Sequence, residues 1–88
     1  MDEQESLLEF PCRFPIKIMG KERPDFQDYI VGMISSHVGE VSTTDVVAKL
    51  SSKGNFLSLT ITISAESREQ LDNIYRSLTA SDRVLFVL

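Results

Sequence analysis

Few residues of this chain are of types that carry chemistry, and their spacing narrows what that chemistry can be. His37 is the one imidazole and Cys12 the one thiol. A lone thiol closes no intrachain disulfide, and structural zinc sites draw on several cysteines or histidines, so neither applies. A catalytic imidazole needs a nucleophile at one nitrogen and an orienting group at the other. No motif sets an Asp, Ser or Cys beside His37, which is read as a helix-end residue, favourable there when protonated. Cys12 follows a proline, has no cationic motif to activate it, and is read as a small buried apolar residue. No catalytic residue, no metal and no cofactor are expected, and the chain is not read as an enzyme.

Two stretches could hold an anion. Ser51, Ser52, Lys53, Gly54 and Asn55 offer hydroxyls, an ammonium group and free backbone amides, which suit a phosphate or a carboxylate. The same residues are hairpin-turn chemistry, because Gly and Asn tolerate the positive φ of a tight turn, and the turn is the weightier reading. The stretch is not a nucleotide P-loop: it lacks the glycine spacing and precedes a strand rather than a helix. The second stretch is Gly20, Lys21, Glu22 and Arg23, ahead of Pro24 and a helix start. Gly20, Lys21 and Arg23 could bind a carboxylate there, although Asp25 would oppose it. A copper carrier would need a paired cysteine, and an acylphosphatase a phosphate loop that this one does not match.

These residues have to be positioned by a small body. Eighty-eight residues make one domain with one core, residues 1–88, and 42% apolar with 25% charged content is ordinary for a globular chain. Nine Lys and Arg against thirteen Asp and Glu leave a net charge of −4, which makes nucleic acid an unlikely partner and disfavours an anionic membrane. With no secretory start and no run of spanning length, the expectation is a reduced, cytoplasmic protein with no membrane contact.

Residues 1–6 are polar and expected as a flexible N-terminal tail. Leu7, Leu8 and Phe10 precede Pro11 and form a lead-in packed on the body. Phe14, Ile16 and Ile18 alternate with Pro15, Lys17 and Met19; because Pro15 cannot donate to a ladder, regular pairing is expected from Ile16 to Met19, with Gly20 ending it. Pro24 opens a helix on which Phe26, Tyr29, Ile30, Met33, Ile34 and His37 recur at three- and four-residue steps, and Gly39 stops it. Gly32 lies inside, where its expected use is close approach to the sheet or a partner. Residues 41–50 read as an edge strand guarded by Asp45 and Lys49. After the hairpin, Leu57, Leu59, Ile61 and Ile63 alternate with Ser58, Thr60 and Thr62, a strand with one buried face. Ser67 and Gln70 form a capping box for a second helix bearing Leu71, Ile74, Tyr75 and Leu78. A final strand over residues 83–87 is apolar on both sides at an expected edge, to be covered either by the Leu7–Pro11 segment or by another subunit.

The order β-α-β-β-α-β, with single-sided strands and helices, predicts an α+β ferredoxin-like sandwich: a four-stranded antiparallel sheet in the order 4-1-3-2 with two helices on one face. The uncovered face should show Lys17, Ser58, Thr60 and Thr62. It lacks the rings in its strand centres that an RNA-recognition sheet uses to stack bases.

The segments Leu7-Leu8-Glu9-Phe10-Pro11, Lys17-Ile18-Met19-Gly20, Ser51-Ser52-Lys53-Gly54-Asn55 and the closing Val84-Leu85-Phe86-Val87-Leu88 resemble, in that order and spacing, the YbeD-like family of small bacterial proteins. The resemblance implies a fold similar to the ACT domains that sense amino acids, and it carries no catalytic residue with it. Two functions are expected in order: a non-enzymatic regulatory or adaptor protein that contacts a protein partner or a second copy of itself, and, as the alternative, an ACT-like sensor of an amino acid between Gly20 and Asp25.

Overall fold

A computed structural model describes residues 9–88; the expected tail at residues 1–6 and the Leu7 and Leu8 part of the lead-in lie outside them. The elements are β1 (Cys12–Lys21), α1 (Phe26–Val38), a 3-10 turn (Thr43–Asp45), β2 (Val46–Leu50), β3 (Phe56–Ala65), α2 (Arg68–Thr79) and β4 (Val84–Val87). One antiparallel sheet runs β2-β3-β1-β4, the order the sequence predicts.

The core lies between this sheet and both helices. Ile16 and Ile18 of β1 and Leu57, Leu59, Ile61 and Ile63 of β3 meet Phe26, Ile30 and Ile34 of α1 and Leu71, Ile74 and Leu78 of α2. These are the stripes that the two- and 3.6-residue periods select. Phe10 packs against the margin of this core, as does Cys12; Cys12 is half-buried rather than buried.

Several local expectations are corrected. β1 is ten residues long and contains Pro15. The N–H and C=O of Lys17 bond to Leu88, so every second residue of β1, Pro15 included, turns its backbone groups to the β4 side. The donor that Pro15 lacks therefore lies on the β4 side and is not missed in the long ladder with β3. β2 begins at Val46 rather than Val41, because Ser42 caps a 3-10 turn: its Oγ accepts from the Thr44 N–H at 3.3 Å and its carbonyl from the Asp45 N–H at 2.9 Å. Asp45 then pairs with Arg13 of β1. In the hairpin only Gly54 adopts positive φ, at 73°; Asn55 does not. Gly32 faces solvent, with open space where a Cβ would sit, so it makes no close approach to the sheet. The close approach belongs to Gly20, where a Cβ would stand 2.5 Å from the Arg83 carbonyl oxygen and from the Phe26 ring.

The capping box forms with one change. Ser67 Oγ accepts from the Gln70 N–H at 3.1 Å, while Gln70 Oε1 accepts from the N–H of Glu66, not Ser67, at 2.8 Å.

Candidate functional site

The loop that follows β1 and the hairpin that precedes β3 meet at one end of the sheet. The Glu22 N–H donates to the Asn55 carbonyl at 2.9 Å, which joins the two stretches that the sequence marks separately. Lys21 and Arg23 then border two hollows of about 340 Å³ each, one shared with Asn55 and Phe56 and one with Asp82, Arg83 and Leu85. Gly20 is buried and lines neither of them. Ser52, Lys53 and Gly54 line neither hollow. Ser51, not these three, closes the hairpin: its carbonyl accepts from Gly54 N–H at 2.9 Å and its Oγ from Phe56 N–H at 3.1 Å. Of the candidate anion residues, Lys21, Arg23 and Asn55 are brought together, and Ser52, Lys53 and Gly54 form the turn.

Arg83 was not singled out in the sequence and is central here. Its guanidinium forks onto Asp25, with Nη2 to Oδ1 at 2.8 Å and Nη1 to Oδ2 at 3.1 Å. It also lies 4.5 Å from the centre of the Tyr29 ring and 5.7 Å from that of Phe26, a planar cation on aromatic faces. The hydrogen bond from Arg83 holds the Asp25 carboxyl below the usual carboxylate range, and the same bond raises the guanidinium. The repulsion expected from Asp25 is thus largely absorbed by Arg83. Lys21 and Arg23 enter no ion pair among the described residues.

The second feature is the uncovered sheet face. The register sets Lys17 opposite Thr60, Met19 opposite Ser58 and Lys21 opposite Phe56, and on the other flank Val47 opposite Thr60 and Lys49 opposite Ser58. Lys17, Ser58, Thr60 and Thr62 therefore share this side, as expected, and Met19, Lys49 and Phe56 join them. A hollow of about 220 Å³ lies among Lys17, Met19, Lys49, Leu50, Phe56 and Ser58. The face is not free of rings: Phe56 stands at the start of β3, and Phe86, opposite Met19, on β4.

β4 is an edge strand with a bulge. Ile18 pairs with Val87 and Met19 with Phe86, but Gly20 pairs with Val84, which leaves Leu85 as the extra residue. Val84 and Val87 pack on the core margin, whereas Leu85, Phe86 and Leu88 remain 52%, 43% and 68% exposed.

His37 has a partner that no motif announced. Its Nε2 lies 3.0 Å from Ser77 Oγ across the helix pair, and its carbonyl accepts from Gln70 Nε2 at 3.2 Å. No carboxylate hydrogen-bonds His37 among the described residues, and Ser77 sits in the last turn of α2, where the backbone N–H groups are spent on the helix ladder and do not cradle an oxyanion. The arrangement ties the helices together. Among the described residues no three of His, Cys, Asp and Glu gather as a metal site, and no helix is long and apolar enough to cross a membrane.

Comparison with known proteins agrees with this fold. A chain titled the ACT domain from GTP pyrophosphokinase of Chlorobium tepidum superposes with a TM-score of 0.65 at 20% identity, covering 88% of this chain and 97% of that one. A UPF0250 protein of Chromobacterium violaceum is 48% identical over 99% of this chain and 98% of its own length. A UPF0250 protein of Paraburkholderia phytofirmans is 52% identical over 96% and 94%. A family model described as "Protein of unknown function (DUF493)" matches residues 5–88. With relatives this similar along nearly their whole length, the chain belongs to the DUF493 family, the group of small bacterial proteins that its opening, hairpin and closing segments resemble.

Proposed function

We propose that this protein is a non-enzymatic regulatory adaptor of the bacterial cytoplasm that acts by contacting another protein. The observation that carries the reading is the β4 edge, where Leu85, Phe86 and Leu88 stand exposed on a strand that pairs on one side only among the described residues. An open apolar edge is a liability unless something is meant to meet it. The bulge at Leu85 limits indiscriminate strand addition while presenting its side chain. The experiment is affinity capture beside sedimentation, with wild type and a Leu85→Glu variant. A defined stoichiometric partner, or a dimer, that wild type holds and L85E loses supports the reading; a monomer without a partner at micromolar concentration defeats it.

A second reading rests on Lys21, Arg23 and Arg83 around one hollow: an ACT-like module that senses an amino acid or a similar small anion. A ligand that binds only the folded chain raises its thermal midpoint. A rise with one metabolite that is lost in Lys21→Gln/Arg23→Gln supports this reading, and a flat response across amino acids at millimolar concentration retires it.

A further inference from the structure

The sheet carries a charge opposite to that of the protein. The chain has a net charge of −4, yet none of its four strands contains an Asp or a Glu, and every charged strand residue is a cation: Arg13, Lys17, Lys21 and Lys49. Arg13 is neutralised by Asp45. The three lysines enter no ion pair among the described residues, and the register places all three on the uncovered side. Between two of them lies the hollow of about 220 Å³ bounded by Met19, Leu50 and Phe56.

We propose that this face binds an acidic polypeptide segment that inserts one apolar side chain between Met19 and Phe56 and lays its carboxylates against Lys17 and Lys49. This proposal rests on the adaptor reading and adds the surface and the chemistry of the partner. Charge complementarity selects the occupant. A second copy stacked face to face would set lysines against lysines. A long polyanion would also meet the acidic remainder of the molecule, whereas a short acidic segment feels mainly the charges within about 10 Å. Stacked nucleobases need rings on the central strands, and here Phe56 and Phe86 stand at the margins.

The test is a titration of the isotopically labelled protein, followed by its backbone amide resonances. The probes are a short glutamate-rich peptide with one central phenylalanine, its counterpart with lysines for glutamates, and an oligouridylate. The expected result is a shift of amides around Lys17, Met19, Lys49 and Ser58 with the acidic peptide alone. Binding should weaken as salt rises and fall about tenfold or more in Lys17→Glu/Lys49→Glu, with Lys17→Gln/Lys49→Gln intermediate and both variants keeping the wild-type thermal midpoint. Absent shifts, shifts confined to the loops of Arg23 and Arg83, or equal binding of the lysine peptide overturn the proposal. So does oligouridylate displacing the peptide from the same lysines, or concentration-dependent shifts at those residues without any probe. If captured partner is lost in L85E but held by the lysine variants, the adaptor reading survives and this inference falls.

Discussion

The two faces of β3 are made by alternate residues of one segment, yet they follow different rules. Toward the helices Leu57, Leu59, Ile61 and Ile63 are buried in the apolar core. Toward the open side Ser58, Thr60 and Thr62 are half-buried among lysine stems and the short edge strand β2. The first face is set by packing density, so its residue types are constrained by stability. The second has packing slack, so its residue types are free to serve contact. The largest effect that can break this contrast is a pair of truncations at neighbouring positions. Ile61→Ala should cost about 2–5 kcal/mol, as cavity-forming substitutions do. Thr60→Ala should cost less than about 1 kcal/mol. Urea denaturation of both variants, with an unchanged slope, measures this. Equal losses would show that the open face is as tightly specified as the core.

Two glycines sharpen the same contrast at smaller scale. Gly20 lies where β1 passes under Phe26 and the Arg83 carbonyl, and a methyl there meets backbone at 2.5 Å. Gly20→Ala should therefore destabilise by about 1–3 kcal/mol, as overpacking does, and should disturb the hollows beside Lys21. Gly32 stands in α1 with nothing near it, so Gly32→Ala should stabilise by about 0.5–1 kcal/mol through helix propensity. Thermal melts of the two variants should move in opposite directions. A loss of stability in G32A would reveal a constraint on the solvent side of α1.

Legibility in the sequence followed the range of the interaction. The alternation in β3, the stripes of both helices and the Ser67 cap are local patterns, and each appears where its residues predict. Together with the right-handed crossover rule they suffice for the whole topology. What was not legible depends on register between segments far apart in the chain. Lys17 and Lys49 are 32 positions apart and share a hollow only because both neighbour Ser58's stretch of β3. Arg83 reaches Asp25 from the far end of the sequence, and Ser77 meets His37 only through the helix pair. Pro15 misled for a related reason: proline bars pairing only on the side that its missing N–H faces, and the register between distant strands decides that side. Gly32 misled because a helix glycine's purpose depends on what lies opposite, here solvent.

The smallest expected effect lies in the Asp25 and Arg83 pair, and it connects stability to the second functional reading. Arg83 lowers the Asp25 pKa in the folded chain relative to its ordinary value. A carboxyl depressed on folding adds stability above its unfolded pKa, and that stability is lost as pH falls through the folded value. Both side chains are solvent-accessible, so screening keeps the contribution small. The quantity to measure is the Asp25 carboxyl titration itself, by NMR. Arg83→Gln should return Asp25 to the ordinary carboxylate range, and Arg83→Lys should return it part of the way, because an ammonium keeps the charge and loses the bidentate fork. An unmoved titration in R83Q would mean that the loop amides, not the guanidinium, hold the carboxylate. Asp25→Asn works from the other side: it leaves Arg83 stacked on Tyr29 with its charge unpaired, beside Lys21 and Arg23. If the hollow is an anion site held in check by Asp25, inorganic phosphate or an amino acid should bind D25N more tightly than wild type. Equal affinity would assign the Asp25 and Arg83 pair to anchoring β4 against α1 and leave the open sheet face as the molecule's working surface.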